Sequence, residues 1–387
     1  MTRPAPLLAA CTLAAWLTLS TACATSPAPD TAAQDNAGTI PATDTAPFAI
    51  QKIATFDRPW ALAFLPDGRL IVTEKAGRMF LLTQAGQKTA IDGIPAVYER
   101  GQNGLLDVAP SPDFAHDRLL YFSRVAPETG GGALILARAR LETGNGHARL
   151  QDLQSLWHQQ PASRGGQPGG ILAFAPDGQH LFLSVGDRME PDAAQDPDAA
   201  RGKILRLNLD GTVPADNPQA GQAGIRALTW TTGHRNPYGL AFAPDGTLWE
   251  HEMGPRGGDE LNRIEPGGNY GWPTVSNGDQ YSGAAIPRHA TRPEFNAPRL
   301  YWTPVIAPAG LAFYQGSQFP KWQGSALIGG LRGQGLVRVA FDADGHARQT
   351  DRWRLDQRIR DVAVAADGAV WLIEDGPDAG LLRLTAQ

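Results

Sequence analysis

The stretch Ala61–Leu62–Ala63–Phe64–Leu65–Pro66–Asp67–Gly68–Arg69–Leu70–Ile71–Val72 decides the fold, because it is repeated along the chain. Each copy consists of a short apolar strand, a turn of the Pro–Asp–Gly type and a second apolar strand. Asp and Gly adopt the backbone geometry that tight hairpins need, so each copy predicts a β-hairpin. The further copies begin at Asp107, Ile171, Gly239, Gly310 and Asp361.

The number and spacing of these copies predict the architecture. They recur at intervals of several tens of residues, and such periods with several strands per unit indicate a propeller. Six copies predict an all-β fold, a six-bladed β-propeller around a central channel. An irregular β-sandwich is the alternative. Because the loops at one end of a propeller converge on the channel, we expect the functional site there.

The composition limits the possible classes of function. The chain has 387 residues, 42% hydrophobic content, 44 Gly and 31 Pro, which is typical of a turn-rich β-protein with a large core. Its net charge is −5 and it has no basic tract, so we predict no nucleic-acid partner. H-E-x-x-H, C-x-x-C, P-loop and G-x-S-x-G motifs are absent. The acidic stretch Asp187–Asp198 lacks the spacing of an EF-hand and is interpreted as a solvated loop.

The N-terminus predicts export. Arg3 is followed by an apolar run from Leu7 to Leu19 and then by small residues, which indicates a signal peptide over residues 1–24. Cleavage near Ala24 and lipidation at Cys23 are both open, and the run is too short to predict a transmembrane domain. Residues 25–45 predict a flexible tether and residues 46–387 the propeller. We therefore expect a periplasmic protein or one anchored in the outer membrane of a bacterium.

Loops rich in Gly and Pro carry the candidate site residues. The densest are the stretches 231–237, 252–260 and 267–273, in which backbone carbonyls beside carboxylates form a donor set that suits calcium. Arginines from separate repeats form a candidate anion receptor, since guanidinium groups match carboxylates bidentately. The cationic and amide candidates are Gln102, Arg235, Asn236, Arg332, Arg358 and Arg360.

Several motifs together carry a resemblance to a known family. They are Arg58–Pro59–Trp60–Ala61–Leu62–Ala63–Phe64, Gly101–Gln102–Asn103–Gly104–Leu105–Leu106, Gly186–Asp187–Arg188, Gly233–His234–Arg235–Asn236–Pro237, Gly254–Pro255–Arg256–Gly257–Gly258–Asp259–Glu260–Leu261–Asn262, Tyr301–Trp302–Thr303–Pro304 and Arg358–Ile359–Arg360–Asp361–Val362. With these motifs, the chain resembles the soluble aldose sugar dehydrogenases that use pyrroloquinoline quinone (PQQ), which include soluble quinoprotein glucose dehydrogenase. The resemblance covers roughly Phe48 to Leu384, nearly the whole predicted propeller.

The resemblance implies PQQ and calcium on the propeller axis. It implies a sugar substrate whose C1 hydroxyl is oxidised to a lactone, with electrons passed on to an external acceptor. The residues implied to contact PQQ are Gln102, Arg235, Asn236, Arg332, Arg358 and Arg360, and Arg235 is also implied in catalysis as the group that polarises the quinone. The carbonyls of Gly254 and Pro255 are implied to hold the calcium at PQQ. Glu260 and the Tyr270 carbonyl are implied to hold a second, structural calcium.

Gln167 marks a departure from this family. It stands where the family has the histidine that takes the hydroxyl proton, and Ile171 stands where an arginine is usual. An amide cannot accept a proton at neutral pH, and losing a general base costs about 10²–10⁴ in rate. We therefore expect a sugar dehydrogenase with impaired or altered chemistry.

Two other functions are open at this stage. One is a non-catalytic or weakly active propeller of the cell envelope that binds a carbohydrate or a partner protein, which the loss of the histidine favours. The other is a calcium-dependent lactonase-type hydrolase, a reaction that six-bladed propellers also host. A lactonase needs carboxylates from several blades around one calcium, and the sequence reveals such groups only at Asp259, Glu260 and Asn262.

Overall fold

The structure is a computed structural model of the chain, and it describes residues 1–2 and 35–387. Residues 3–34 lie outside the described residues, and with them most of the predicted signal peptide, Cys23 and the first part of the predicted tether. Strands dominate the described part of the chain. Its few helices are too short to cross a membrane.

The regular elements of residues 35–387 are short. The strands are β1 (Asp35–Asn36), β2 (Phe48–Phe56), β3 (Pro59–Phe64), β4 (Leu70–Glu74), β5 (Arg78–Leu82), β6 (Lys88–Asp92), β7 (Leu105–Pro110), β8 (Leu119–Glu128), β9 (Gly131–Gly144), β10 (His147–His158), β11 (Gly169–Phe174), β12 (His180–Val185), β13 (Lys203–Asn208), β14 (Thr229–Thr232), β15 (Pro237–Phe242), β16 (Leu248–Glu252), β17 (Arg256–Gly257), β18 (Asp259–Arg263), β19 (Gly278–Asp279), β20 (Leu300–Trp302), β21 (Pro308–Phe313), β22 (Ala326–Gly330), β23 (Gly335–Phe341), β24 (Ala347–Arg354), β25 (Ile359–Val364), β26 (Val370–Glu374) and β27 (Ala379–Ala386). The helices are α1 (Phe114–Asp117), α2 (Ile225–Leu228) and 3₁₀ turns at Pro191–Ala194, His289–Thr291 and Pro320–Trp322.

The strands of residues 35–387 form six sheets, which contain six four-stranded units that we call blades 1–6. Blades 1 (β3–β6) and 2 (β7–β10) share one eight-stranded sheet, because β6 pairs in parallel with β10. Blade 3 is β11–β14. Blade 4 is β15, β16, β18 and β20, with β1 added at its edge, and blade 5 is β21–β24. Blade 6 is β25–β27 with β2, and β17 and β19 form a separate two-stranded ribbon.

The blades are arranged in a ring. Their first strands, β3, β7, β11, β15, β21 and β25, are the inner strands, and each contacts the inner strands of the blades on both sides, with β25 returning to β3. Blade 6 takes its outermost strand, β2, from the other end of the domain, with pairing that runs from Phe48↔Ala386 to Phe56↔Ala379. The ring is therefore closed by pairing of β2 with the last strand, β27.

Each predicted repeat forms the inner hairpin of a blade. In the first copy β3 pairs antiparallel with β4, and the Gly68 amide donates to the Leu65 carbonyl (2.9 Å) in the turn. Gly68 has φ 83°, a conformation that glycine adopts without strain. All five residues of β4 are buried, because neighbouring blades cover both faces of the strand. This burial explains why the strands of the repeat are continuous apolar runs rather than alternating ones.

Every inner hairpin of the described chain carries a β-bulge, and polar side chains of adjacent blades use the freed backbone groups. The Leu62 amide lies within the bulge of blade 1 and donates to the Asp361 carboxylate of blade 6 (2.8 Å). The Thr73 hydroxyl of blade 1 donates to the Leu106 carbonyl of blade 2 (2.7 Å). These bonds hold neighbouring blades in register around the channel.

Residues 35–45, within the range predicted as a tether, are packed on the blades. β1 pairs in parallel with β20, and Ala37 is buried at 2% exposure. The Asn36 side chain exchanges two hydrogen bonds with the Thr303 backbone (both 3.0 Å). Further along, the Thr43 amide donates to the Arg352 carbonyl (2.8 Å). Composition alone missed this packing, because most of these bonds are made by the backbone.

Candidate functional site

Most of the predicted site residues lie at one end of the ring. The first and second strands of each blade are antiparallel, so the chain enters every first strand and leaves every second strand at the same end. The loops at this end contain Gln102, Gln167, Arg235, Asn236, Gly254, Pro255, Arg332 and Arg358. Arg360 is the second residue of β25 and lies at the same end. A site at one end of the channel was predicted from the sequence, and the strand order explains why these loops lie at the same end.

Gln167 lies in a buried hydrogen-bond network at this end. Its side chain is 6% exposed, and its backbone amide donates to Gln102 Oε1 (2.7 Å). In the amide orientation that satisfies the surrounding groups, its nitrogen donates to Asp187 Oδ1 (2.5 Å) and its oxygen accepts from Arg235 (2.7 and 3.1 Å). The structure thus brings Gln102, Gln167 and Arg235 into one network.

Asp187 belongs to this network, so its interpretation as part of a solvated loop is wrong. It is 1% exposed, and the Trp272 indole donates to its Oδ2 (2.9 Å). Burial raises the pKa of Asp187 to about 6, against the opposing effects of its hydrogen bonds and of Arg235. The three later aspartates of the stretch are exposed, so the composition of the stretch as a whole indicated a solvated loop. The signal that could have singled out Asp187 is its place in the Gly186–Asp187–Arg188 motif.

Arg235 connects the network to the loop after β16. Its guanidinium donates to the carbonyls of Met253 (2.8 Å) and Gly254 (3.0 Å) and to the Tyr281 hydroxyl (3.3 Å). It also lies over the Trp272 ring, 5.4 Å from the centroid, where the indole face stabilises a cation. The Gly254 carbonyl, a predicted calcium ligand, therefore borders the same space as Arg235.

The loop at Gly254 is held by Asp259. This carboxylate accepts hydrogen bonds from the amides of Gly254 (3.0 Å), Ile306 (2.8 Å) and Ala307 (2.7 Å). Burial raises the pKa of Asp259 to about 7, although these three bonds oppose the shift. Asp259 therefore ties the loop of blade 4 to the start of blade 5.

Gly254 has no room for a side chain. A Cβ there would lie 2.3 Å from the carbonyl oxygens of both Gly257 and Gly258, so the turn requires glycine. Pro255 follows in the same turn and is buried. The turn is compact, and it presents backbone oxygen to the site.

Arg358 and Arg360 share one carboxylate, Asp375. Arg358 Nε donates to its Oδ2 (2.7 Å) and Arg360 donates to its Oδ1 (2.7 Å). Asp375 is half-buried, which tends to raise its pKa, but the two arginines hold that pKa below the ordinary value. Arg360 lies over the Trp60 ring, 4.4 Å from its centroid. One carboxylate balances two guanidinium groups, so the positive charge exceeds the negative charge in this group.

Arg332 extends this positive region. It is exposed in the turn after β22, and the carbonyl of the preceding residue, Leu331, accepts a hydrogen bond from Arg358 (3.4 Å). Three arginines from two blades thus lie at the same end of the channel. Such an excess of positive charge attracts an anionic ligand.

Asn236 is completely buried beside the loop at Gly254. Its backbone amide donates to Glu252 Oε2 (3.1 Å), and its side-chain nitrogen faces the Met253 sulfur (3.8 Å). Its Oδ1 has no hydrogen-bond partner among the described residues. A buried oxygen without a hydrogen-bond partner is unusual, and a ligand that donates to it would remove the free-energy cost of burying it unpaired.

A group of buried carboxylates borders the same loop. Glu260 Oε1 lies 3.3 Å from His289 Nε2, and the Asn262 amide donates to Glu260 (3.4 Å) and to Glu250 (3.0 Å). Burial raises the pKa of Glu250 well above its ordinary value, and the nearby Glu252 and Glu260 raise it further. Glu260, a predicted calcium ligand, is therefore one of three acidic groups that share a buried region.

Tyr270, the other predicted ligand of the second calcium, borders this region through its ring. The ring stacks on the His234 imidazole with a centroid distance of 4.8 Å. Sequence reasoning missed His234, Glu250 and Glu252 as members of one cluster. The available signal was the alternation Glu250–His251–Glu252 in β16, which puts both glutamates on the same face of the strand.

Comparisons with known proteins find relatives that cover most of the chain. Residues 56–383 match the family model described as Glucose / Sorbosone dehydrogenase. The chain is 37% identical over 344 residues to aldose sugar dehydrogenase YliI of Escherichia coli (strain K12), covering 85% of this chain and 90% of that protein. It is 31% identical over 307 residues to quinoprotein glucose dehydrogenase B of Acinetobacter calcoaceticus, covering 72% and 63%. The PQQ-bound structure of an aldose sugar dehydrogenase from Streptomyces coelicolor superposes with a TM-score of 0.71 at 28% identity, covering 89% of this chain and 100% of that one.

Proposed function

The chain belongs to the Glucose / Sorbosone dehydrogenase family, and on this premise we propose that it is an exported, six-bladed, PQQ- and calcium-dependent sugar dehydrogenase. Its reaction is the oxidation of the C1 hydroxyl of an aldose to a lactone, with an external electron acceptor. The observation that carries the proposal is the position of Arg235, whose guanidinium contacts both Gln167 and the Gly254 carbonyl.

The residues at the end of the ring fit a planar anionic cofactor. Arg332, Arg358 and Arg360 provide more positive charge than Asp375 balances, and Arg235 adds a fourth guanidinium. The buried Oδ1 of Asn236 lacks a partner among the described residues and would accept a hydrogen bond from the ligand. Gln102 and these five residues would therefore hold PQQ.

Backbone oxygens of the same loop fit calcium. The carbonyls of Gly254 and Pro255 lie in a turn too crowded for any side chain at Gly254, and calcium prefers oxygen ligands of this kind. Glu260 and the Tyr270 carbonyl would hold a second calcium next to the buried carboxylates. Each ion would offset negative charge that the protein otherwise buries at a cost.

PQQ, when bound, supplies the two-electron oxidation. Arg235 would orient the sugar and stabilise negative charge that develops at the site, because its guanidinium is fixed by two carbonyls and by the Trp272 ring. Gln167 would position the C1 hydroxyl through a hydrogen bond. It cannot retain the hydroxyl proton, so the proton passes to solvent and turnover is slow.

Reconstitution tests this function. The purified protein is loaded with PQQ and Ca²⁺, the cofactor absorbance is titrated, and dye reduction by a panel of aldoses is followed. We expect saturable PQQ binding that needs Ca²⁺ and slow dye reduction by at least one aldose. Absence of any cofactor spectrum at saturating PQQ would refute the assignment.

A second candidate function is a non-catalytic propeller that binds a carbohydrate or a partner protein. Gln167 favours it, because its amide oxygen accepts from Arg235, one of its N–H groups donates to Asp187, and the side chain offers no base. The two functions differ in one measurement. Sugar binding without any dye reduction, in protein that carries stoichiometric PQQ, would favour the binding propeller.

A further inference from the structure

His234, Glu250 and Glu252 form a compact buried cluster outside the proposed PQQ contacts. Their ligand atoms all lie within 4.8 Å of one another. The residues are 0%, 0% and 4% exposed, so water cannot solvate their charges. Two carboxyl groups at this depth must either take up protons or be balanced by a positive charge.

The imidazole of His234 is oriented as a metal ligand. Its Nε2 lies 2.8 Å from the Thr231 hydroxyl, and its Nδ1 faces Glu252 Oε1 (3.3 Å) and Glu250 Oε2 (4.0 Å). The ring is also fixed by stacking on Tyr270 at 4.8 Å. Metal-binding histidines typically use one nitrogen for the ion and the other for a hydrogen bond to a neighbour. Here Thr231 provides that neighbour, which leaves Nδ1 for the ion.

Hydrogen bonds hold the two carboxylates in place but do not engage all four of their oxygens. Glu252 Oε2 accepts hydrogen bonds from the backbone amides of Arg235 and Asn236, and its Oε1 faces His234. Glu250 Oε2 accepts from Asn262, whereas its Oε1 has no hydrogen-bond partner among the described residues. This buried, unpartnered oxygen leaves Glu250 able to bind a further group, such as a metal ion.

We propose that His234, Glu250 and Glu252 bind a divalent transition-metal ion of the Zn²⁺ class, in addition to calcium. One imidazole nitrogen with two carboxylates is a donor set that suits zinc, whereas calcium takes oxygen ligands. The site uses different side chains from the proposed ligands Glu260 and Tyr270 but adjoins them, because Asn262 donates to both Glu250 and Glu260 and the Tyr270 ring stacks on His234. It does not depend on PQQ.

The position of the cluster gives the ion a role. His234 directly precedes Arg235, and Glu252 directly precedes the Met253–Gly254 carbonyls that Arg235 contacts. The ion therefore ties the start of β15 to the end of β16 and fixes both halves of this contact. Loss of the ion would loosen Arg235 without removing any residue that touches the substrate.

Metal analysis tests the site. The protein is stripped with a chelator, dialysed against Zn²⁺ with excess Ca²⁺, and its metal content is measured by mass spectrometry. We expect one tightly bound Zn²⁺ per chain, lost in His234→Gln and in Glu250→Gln. The matched control is His346→Gln, which alters the exposed cluster of Asp342, Asp344 and His346 and should leave Zn²⁺ bound.

A second measurement covers variants that fail to fold. Co²⁺ added to the stripped wild-type protein should give visible absorption bands typical of a nitrogen and oxygen ligand set, and Zn²⁺ should displace it. No tight Zn²⁺ in the wild type, equal Zn²⁺ in the wild type and Glu250→Gln, or displacement of Co²⁺ by Ca²⁺ would each overturn the proposal.

Thermal unfolding distinguishes a metal site from a structural role of Glu250. Without metal, Glu250→Gln should raise the unfolding temperature, because it removes an acidic group whose burial beside Glu252 and Glu260 is unfavourable. With saturating Zn²⁺ the same variant should unfold at a lower temperature than the wild type, because the wild type gains the binding energy. A change of the same sign in both conditions would overturn the proposal.

Discussion

Gln167 combines a buried side chain with a backbone conformation that few non-glycine residues adopt. Its φ is 52°, in the left-handed region, where Asn, Asp and His are enriched. A histidine therefore fits the backbone at this position, and Asp187 is placed to accept a hydrogen bond from the imidazole. Under the proposed function, we expect the residue type at this single position, rather than the surrounding architecture, to limit the rate of sugar oxidation.

We predict that Gln167→His raises turnover of the PQQ- and Ca²⁺-loaded protein by up to about 10²–10⁴, because it restores a group that can accept the hydroxyl proton. The variant should also acquire a pH dependence that the wild type lacks, with activity increasing as the imidazole loses its proton. Steady-state dye reduction between acidic and alkaline pH measures both effects.

Gln167→Asn is the control for this prediction. It keeps an amide at the position and should show neither the gain in turnover nor the new pH dependence. Equal activity of the histidine variant and the wild type, with PQQ fully bound in both, would mean that another group takes the proton.

At the scale of elements, the inner hairpins were predictable and the connections were not. The apolar runs around Pro–Asp–Gly turns predict β3 with β4 and their counterparts, because both faces of each inner strand are buried against neighbours. The β-bulges are not visible in the sequence, since they depend on acceptors such as Asp361 that come from another blade. The packing of residues 35–45 was missed for a similar reason, because it is made mainly by backbone groups.

The residues of the candidate site were likewise predictable only in part. Residues named from loop motifs, such as Gln102, Arg235 and Arg358, lie at one end of the ring because strand order puts the motif loops there. Asp187 and the cluster around Glu250 were not predicted. These acidic groups matter to the site because they are buried. Whether an acidic side chain is buried depends on contacts with residues that are far away in the sequence, such as the Trp272 indole that donates to Asp187.

The turn at Gly254 provides a test at this scale. We predict that Gly254→Ala weakens Ca²⁺-dependent PQQ binding by at least about tenfold and lowers stability by about 1–3 kcal/mol, because the new Cβ overpacks the turn. It would lie 2.3 Å from two backbone oxygens, which can move only by opening the loop. Absorbance titration with PQQ and thermal unfolding measure the two effects.

Gly144→Ala is the matched control. Gly144 ends β9, and a Cβ there would meet nothing within 4 Å. PQQ binding by this variant should equal that of the wild type. Wild-type affinity in Gly254→Ala as well would show that the Gly254 turn does not contribute to the cofactor site.

At the scale of the whole molecule, half-buried aspartates connect blades around the channel. Asp107 of blade 2 accepts from the Leu172 amide of blade 3 (2.7 Å), and Asp361 of blade 6 accepts from the Leu62 amide of blade 1 (2.8 Å). Both line a cavity of about 170 Å³ between the inner strands. Burial raises the pKa of Asp107 to about 7, and burial together with Asp107 raises the pKa of Asp361 to about 8.

These shifts predict that the closed ring is less stable at alkaline pH. A carboxyl group whose pKa is raised by folding holds its proton more tightly in the folded chain than in the unfolded chain. The stability from that proton is complete below the ordinary pKa of aspartate and is lost as the pH rises through 7 to 8. The metal-free protein should therefore become easier to unfold between about pH 5 and about pH 8.5, by at least about 1 kcal/mol.

Asp361→Asn isolates this effect. The asparagine keeps an oxygen for the Leu62 amide but cannot ionise, so urea unfolding of this variant should depend less on pH than that of the wild type. Asp245→Asn, in an exposed turn of blade 4, should keep the wild-type dependence. If Asp361→Asn lost stability with pH as steeply as the wild type, the charge at the channel would not set the alkaline limit. The loss would then have to come from groups at the ends of the ring, such as Asp187 and Asp259.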